Sequence, residues 1–190
     1  MWIELTISFG FGAFGWSLTE YLLHRFVGHR KSSQMRFSVE HKRHHAKSGY
    51  FTSSRTKCLL ASRVLIPMWL LISVALGWAL GLAITAGFTL AYVGYEWVHY
   101  SLHAYPPSTV WGRWLRKHHF AHHYHNPNRN HGVTSPIWDW VFGTLVPNTK
   151  VRVPHAFVDK SMPWLIHPET GEIKDVFRKD YSIKKRIKNG

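Results

Sequence analysis

The sequence predicts an all-α integral membrane protein with about three spans and a histidine-rich helical cap on the cytoplasmic side. Its apolar residues are gathered into long blocks, and all 24 Lys and Arg residues fall within residues 25–63 and 113–190. Positively charged loops stay on the cytoplasmic side of a membrane, so both segments should lie there. We expect a membrane-embedded domain over residues 1–150 and a basic cytoplasmic tail over residues 151–190.

The first element is an apolar stretch over residues 2–23. As a helix it would extend about 33 Å, which is enough to cross a hydrocarbon core of about 30 Å. Glu4 and Glu20 lie near its two ends. Because no positively charged leader or small-residue cleavage site precedes it, we interpret it as a retained span.

The second apolar stretch, from about Leu59 to His103, is about twice the length that one span needs. It therefore predicts a helical hairpin. The turn should fall near Gly77 to Gly81, although the GxxxG spacing there could instead mark a close helix contact. Pro67 should only kink the first arm.

Two shorter helices should follow the hairpin. Pro106 and Pro107 end its return arm, and Ser108 can cap a new helix that carries "RKHHFAHHYH". After the loop "NPNRNHG", Ser135 should cap a short helix that has Pro136 at its first position and Gly143 just past its end. The polar and basic remainder, residues 144–190, should be partly ordered at best.

The composition excludes several classes of protein. The net charge of +14 could indicate nucleic acid as a partner, but no nucleic-acid-binding motif accompanies it, and the charge is explained by the cytoplasmic side of a membrane protein. Cys58 is the single cysteine, so an intramolecular disulfide and a cysteine-based zinc site are impossible. Any metal site must use imidazole and carboxylate ligands.

Ten histidines recur in four clusters, with the spacings HxxxxH, HxxHH, HxxxH and HxxHH. On an α-helix, positions i, i+3 and i+4 form one stripe, so each HxxHH directs three imidazoles the same way. The first pair is five residues apart and should project from a helix end and a turn. The predicted topology brings all four clusters to one cytoplasmic face: His24, His29, His41, His44, His45, His99, His103, His119, His122 and His123.

The number of histidines indicates two metal ions. A structural zinc closes at four ligands, whereas two metals with about five imidazoles each keep an open coordination position for chemistry. Imidazole suits Fe, Zn, Cu and Ni, so the ligands alone leave the metal open. A dimetal site beside lipid acyl chains fits oxygen activation on iron and attack on an unactivated C–H bond; zinc can substitute in the isolated protein without supplying that redox chemistry.

The order of these clusters, with "EYLLHRFVGH", "EWVHYSLH" and "HGVTSPIWDWVFGT", resembles the fatty acid hydroxylase and sterol desaturase superfamily of membrane non-haem di-iron enzymes over about residues 18–146. The tail motif is most similar to that of fatty acid 2-hydroxylases. The resemblance implies that the ten histidines bind two Fe ions. It also implies a lipid substrate, O2 as cosubstrate, and two electrons from a separate cytochrome b5-, ferredoxin- or reductase-type protein.

Five further residues are candidates for orienting the ligands. Glu96 lies one helical turn before a cluster histidine and could accept a hydrogen bond from a ligand imidazole. Asp139 could play a similar part, or it could cap a helix or pair with an arginine. His118 and His125 flank the last cluster and could orient ligands or water, and His131 could add a polar contact.

The predicted function is hydroxylation of a lipid C–H bond, with position 2 of an acyl chain as the first choice. Carotenoid hydroxylation and sterol oxidation or desaturation are the alternatives within the superfamily. Outside it, a membrane haem protein could use His24 and His99 as axial ligands, and a zinc-binding or transport protein could use the clusters. The small size and the lack of a fused donor domain favour a bacterial inner membrane over the endoplasmic reticulum.

Overall fold

The computed structural model describes residues 1–147 and 150–184, and most of them are helical. Long and short helices alternate with short connecting segments, which confirms the predicted mostly helical class. In chain order the helices are α1 (Trp2–Leu22), a π-helical segment (Leu23–Gly28), α2 (Arg36–Ala46), α3 (Ser54–Leu76), α4 (Trp78–Ala104), α5 (Val110–Tyr124), α6 (Ile137–Val141) and α7 (His155–Ser161). Two 3₁₀ turns, Pro163–Leu165 and Asp175–Phe177, follow.

The all-α prediction missed one small sheet. Strands β1 (Val151–Pro154) and β2 (Tyr181–Lys184) pair in parallel, with Val151 opposite Tyr181. Each strand has only four residues, and sequence reasoning found no alternating pattern there because so short a strand carries little periodicity.

The chain divides into two compact units. The first comprises Met1–Glu20 with Phe51–Trp97, and the second comprises Tyr21–Tyr50 with Val98–Gly190. The predicted division at residue 150 does not coincide with this one, because the segment after residue 150 belongs to the same unit as α5. All ten cluster histidines fall within the second unit.

Two helices are long and apolar enough to cross a membrane, α3 and α4, with 23 and 27 residues. The 21-residue helix α1 has a suitable length, but among the described residues only α3 and α4 combine length with sufficient mean hydropathy. Pro67 lies inside α3, which continues through it. The structure therefore gives two candidate spans where the sequence predicts about three.

The hairpin turns at Gly77. Helix α3 ends at Leu76, α4 begins at Trp78, and Gly77 has φ = 89°, a conformation that glycine adopts without a steric cost. At Gly81 an added Cβ would lie 2.3 Å from Ser73 Oγ and 2.8 Å from its backbone nitrogen. Both predicted alternatives therefore occur: Gly77 forms the turn, and Gly81 makes a close contact between the helices.

Glycines also set the packing of α1 on α4 within the first unit. A Cβ at Gly12 would lie 1.9 Å from the Ile84 carbonyl oxygen, and one at Gly87 would lie 2.0 Å from that of Phe9. Small residues at these positions let the two backbones approach closely. The Trp16 ring then packs edge-on against nearby aromatic rings of α4.

The caps of the shorter helices differ in detail from the prediction. Thr109, not Ser108, caps α5: its hydroxyl accepts the Gly112 N–H at 2.9 Å. Thr109 has the extended backbone that an N-cap requires, which a spacing argument does not distinguish from its neighbour's. The predicted Ser135 cap of α6 is displaced by one residue: Ser135 precedes the N-cap, although its hydroxyl accepts the Ile137 N–H at 3.3 Å. Pro136 lies at the N-cap position.

The prediction of a tail that is partly ordered at best is wrong for residues 151–184, whereas residues 185–190 of the predicted tail lie outside the described residues. The segment 151–184 packs its apolar side chains on the face of α5 that carries Phe120 and Tyr124. The apolar residues of this core are scattered through a basic sequence, so no continuous apolar block predicts it. The buried side chains contributed by the segment are Val151, Val153, Val158, Met162, Leu165, Phe177 and Tyr181.

We predict that Gly12→Ala lowers the free energy of unfolding by about 1–3 kcal/mol, because the new methyl group overlaps the Ile84 carbonyl. Thermal unfolding in detergent measures the change. Gly94→Ala is the matched control, since nothing lies within 4 Å of its added Cβ and alanine favours a helix by up to about 1 kcal/mol. Equal stability of the Gly12 variant and the wild type would contradict the close packing of α1 on α4.

Candidate metal centre

The ten cluster histidines form two groups of five. In each group, one ring nitrogen from every residue lies within 4.8 Å of those of the others, as in a site that could hold a metal ion. The first group is His24, His29, His41, His45 and His122. The second group is His44, His99, His103, His119 and His123.

Both HxxHH triplets are divided between the two groups. His41 and His45 of α2 join the first group, whereas His44 joins the second. In α5, His122 joins the first group and His119 and His123 join the second. The two helices thus each contribute to both groups, and the stacked rings of His45 and His123, with centroids 4.0 Å apart, mark where the groups meet.

A π-helical segment brings the first pair, His24 and His29, together although the two residues are five positions apart. Residues 23–28 close wider turns than an α-helix does, and this shifts the residues that follow relative to α1. His24 and His29 consequently stack at 5.2 Å between ring centroids. Gly28 permits the approach of α2, because a Cβ there would lie 3.0 Å from the His41 ring.

Backbone carbonyls orient several of these imidazoles. His122 Nδ1 donates to the Arg129 carbonyl at 2.7 Å, and His44 Nδ1 donates to that of Tyr50 at 2.9 Å. His24 Nδ1 donates to the His131 carbonyl in the same way. An imidazole that carries its proton on Nδ1 presents a lone pair at Nε2, and metal-binding histidines are commonly held by this kind of contact.

The Nε2 atoms then converge on one another. His122 Nε2 lies 2.9 Å from that of His29 and 3.2 Å from that of His45, while His44 Nε2 lies 3.0 Å from that of His99. A ring nitrogen with a free lone pair cannot donate to another one. His24 Nε2 is buried without a hydrogen-bond partner, as are both ring nitrogens of His123. This donor set fits a cation at the centre of each group.

Burial lowers the pKa of most of the grouped imidazoles, which keeps these rings neutral at physiological pH. Desolvation lowers the pKa of His29 to about 4 and that of His45 to about 2, with neighbouring histidines adding to the effect. It also lowers the pKa of other group members well below the ordinary value of 6.5: His24, His41, His119, His122 and His123. Neutral imidazole is the form that binds a metal ion.

Asp139 organises the loop that supports the first group. The Asp139 carboxylate accepts the backbone N–H groups of His131 and Gly132, each at 2.8 Å, and the Thr144 hydroxyl at 2.7 Å. His131 in turn accepts from His24 through its carbonyl. Burial alone would raise the pKa of Asp139, but hydrogen bonds from His118, His131, Thr144 and Gly132 hold it well below the usual value.

The structure separates the other candidate residues. His118 is buried, its Nε2 lies 3.1 Å from Asp139 Oδ2, and its ring stacks on Trp114. The His131 ring lies beside the first group, 5.6 Å from that of His24 between centroids, without joining the group. His131 therefore lies beside the first group, and His118 shares with His131 a contact to Asp139.

Two candidates are placed differently from the prediction. Glu96 pairs with Lys57 and interacts with Tyr92, and its contacts among the described residues include no imidazole. The helical turn between Glu96 and the next histidine directs this carboxylate toward α3 instead. His125 ends α5, and its Nε2 accepts the Arg152 N–H at 2.9 Å, which joins α5 to β1.

Arg116 is a supporting residue that sequence reasoning missed. Its buried guanidinium donates to the carbonyls of Leu102 at 2.6 Å and Ser101 at 2.9 Å, and also to that of Tyr105. These carbonyls end helix α4, which carries two histidines of the second group. The other face of the guanidinium covers the Trp164 ring at 4.7 Å. Burial lowers its pKa to about 10, so it stays charged. No spacing signal distinguishes Arg116 from the exposed basic residues near it.

A hydrogen bond between two hydroxyl groups fixes the end of α2. The hydroxyls of Ser48 and Tyr124 share a buried hydrogen bond of 2.8 Å, which joins the end of α2 to α5. Tyr124 also contributes to the core that residues 151–184 build. Helices α2 and α5, which carry the two triplets, are therefore joined by side chains that belong to neither histidine group.

A family comparison agrees with this arrangement. The family model described as fatty acid hydroxylase matches residues 9–144. The chain belongs to this family. The match includes all ten grouped histidines and Asp139, whereas the packed segment after residue 150 lies beyond it.

Curated members of the fatty acid hydroxylase family resemble this chain over most of its length. Dihydroceramide fatty acyl 2-hydroxylase FAH2 of Arabidopsis thaliana is 32% identical over 151 residues, which are 75% of this chain and 62% of that protein. Fatty acid 2-hydroxylase of Homo sapiens is 35% identical over 150 residues, which are 73% of this chain and 39% of that protein. The chain thus spans between about two fifths and three fifths of the length of these relatives.

A solved structure of the family has the same fold. The structure titled full length scs7p, in which only the hydroxylase domain is visible, matches with a TM-score of 0.64 and 31% identity. The match covers 78% of this chain and 59% of that one. These relatives are eukaryotic, so they give no support to the predicted preference for a bacterial membrane.

We predict that Asp139→Asn lowers the free energy of unfolding by about 1–3 kcal/mol, because an amide nitrogen would face a buried backbone N–H. Metal content should also fall, since the loop no longer fixes the His131 carbonyl for His24. Thermal unfolding and metal analysis of the purified protein measure both. Asp175→Asn is the control, because this carboxylate is 84% exposed and should tolerate the change. Full metal content and stability in the Asp139 variant would refute this role.

Arg116→Lys should cost about 1–3 kcal/mol of stability, because one ammonium cannot serve the carbonyls that the guanidinium reaches. It should also reduce metal binding by the second group. The matched control is Arg178→Lys on the surface, where ion pairs with Glu172 and Asp175 contribute less than about 1 kcal/mol. Equal effects of the two substitutions on unfolding and metal content would show that Arg116 has no special part.

Proposed function

We propose that the protein is a membrane di-iron monooxygenase that hydroxylates a C–H bond of a lipid acyl chain. The observation that carries the proposal is the pair of five-histidine groups, with convergent ring nitrogens and carbonyl-bound Nδ1 atoms. Membership of the fatty acid hydroxylase family supports it. The names of the relatives favour the carbon at position 2.

The ten grouped histidines are the proposed ligands, five to each iron. Five imidazoles leave room for one exchangeable position on a six-coordinate metal, and imidazole is a suitable ligand for iron. Two irons would supply the oxidising chemistry: one atom of O2 enters the C–H bond, and the other leaves as water with two electrons and two protons. Zinc bound in the isolated protein would fill the sites without this redox capacity.

The chain's own residues would hold the reacting parts in place. The carbonyls of Arg129, His131 and Tyr50 keep their imidazoles oriented, which removes the need to reorganise ligands during turnover. Most of these histidines are buried and the rest are half-buried, which limits the access of water and so favours attack on the substrate over side reactions. The lipid chain must present one carbon to the centre, and this position sets the specificity.

The proposed orientation keeps the histidine groups on the cytoplasmic side. The basic residues between positions 25 and 63 and after position 112 support it, because such residues are retained on that side of a membrane. A separate electron-transfer protein is proposed as the donor. Three spans, with α1 as the first, agree with this orientation.

The test is lipid mass spectrometry of host membranes with and without expression, under ¹⁸O2 and with an added reductase system. We expect a product heavier by one labelled oxygen atom. It should fall at least 100-fold in His122→Ala and His123→Ala, which remove one proposed ligand from each group. His167→Ala is the control, because this residue lies outside both groups. A wild-type protein that holds two irons and changes no lipid under these conditions would overturn the proposal.

A further inference from the structure

An open depression lies on the surface beside the second histidine group. Arg43, Ala46, Lys47 and Tyr50 line it, at the end of α2 and the start of the segment that follows. Arg43, Ala46 and Lys47 are exposed. The depression is formed by residues of the second unit alone.

One hydrogen bond links this depression to a proposed iron ligand. The carbonyl of Tyr50 accepts from His44 Nδ1 at 2.9 Å, and His44 Nε2 points into the second group. Only 4% of the His44 residue is exposed, so solvent does not reach the group here. The backbone carbonyl of Tyr50, a residue that lines the depression, is thus bonded directly to the His44 ring. This contact makes a short path for an electron from the depression to the second group.

The charge around the depression is one-sided. Residues 21–50 contain seven Lys and Arg residues and a single acid, Glu40. Glu40 is buried, and it is bound by Arg36 at 2.7 Å, by Arg43 at 3.4 Å and by the Tyr50 hydroxyl, so this one carboxylate is shared by two arginines and leaves the surface positive. Lys47 has no carboxylate partner among the ion pairs of the described residues. A surface of this sign attracts an acidic protein and steers it before contact.

We propose that this depression is the docking site of an acidic one-electron carrier protein, and that electrons reach the second histidine group through Tyr50 and His44. This inference rests on the proposed function, which requires two electrons for each turnover. Each reduced carrier would be oxidised by one electron, so two dockings reduce two ferric ions to the ferrous state. Protons are taken up later, when oxygen is reduced.

Two variants test the site by charge and by shape. Lys47→Glu combined with Arg43→Gln replaces the two positive charges of the depression with one negative charge. Ala46→Trp fills the depression without changing the charge. Lys179→Glu combined with Arg152→Gln is the matched control, because both residues are exposed and lie after residue 150. Metal analysis ensures that every variant holds as much iron as the wild type.

The probe is the oxidised soluble haem domain of cytochrome b5, an acidic one-electron carrier. Its affinity for the full chain in uncharged nanodiscs is measured at two salt concentrations, and the reoxidation of its reduced form is followed by stopped flow. Both depression variants should weaken binding and slow reoxidation at least tenfold, while the control changes less than twofold. High salt should weaken wild-type binding and affect the charge variant less.

Equal affinity in the depression variants, the control and the wild type would overturn the docking site. Anionic lipid is the other ligand for a basic surface. If the depression variants lose binding to phosphatidylserine vesicles but keep binding to the haem protein, the surface binds headgroups and the proposal fails.

A single turnover with dithionite as reductant bypasses docking. Labelled product there in every variant supports a defect in electron delivery, whereas its absence in the wild type points to failure of the proposed function.

Discussion

The rest of the structure depends on placing ten imidazoles in two groups of five, seven of them buried and three half-buried. Neutral rings with converging lone pairs repel one another, and protonated rings would repel more strongly in a medium of low polarity. A shared cation in each group resolves this conflict, because it turns the repulsion into ligation. With a cation bound in each group, the fold would be coupled to metal binding, and the free energy of binding would become part of the stability of the second unit.

Support for the groups comes from outside the histidines. Backbone carbonyls fix the protonation of His24, His44 and His122, and Asp139 fixes one of those carbonyls in turn. Arg116 binds the end of α4 on one side and covers Trp164 on the other. The segment after residue 150, which the family match does not reach, thus helps to hold the helices that carry the second group.

The two units meet different physical demands. The first builds close helix packing from glycines, because apolar side chains gain little by leaving lipid and small residues let backbones touch. The second buries polar groups, each of which needs a partner. A basic exterior accompanies this polar interior. If the depression at Arg43 and Lys47 receives a carrier protein, the same α2 helix presents the docking charge outward and His44 inward.

The sequence by itself determined the helical class, the hairpin turn near Gly77 and the ten histidines, because apolar blocks, turn residues and repeated spacings are local properties of a chain. Only the tertiary structure decided that each HxxHH triplet serves both groups, that Glu96 binds Lys57, and that residues 151–184 pack on α5. Those outcomes depend on which faces of distant helices meet. Spacing along one helix fixes the direction of a side chain relative to its neighbours, but not the partner that it finds.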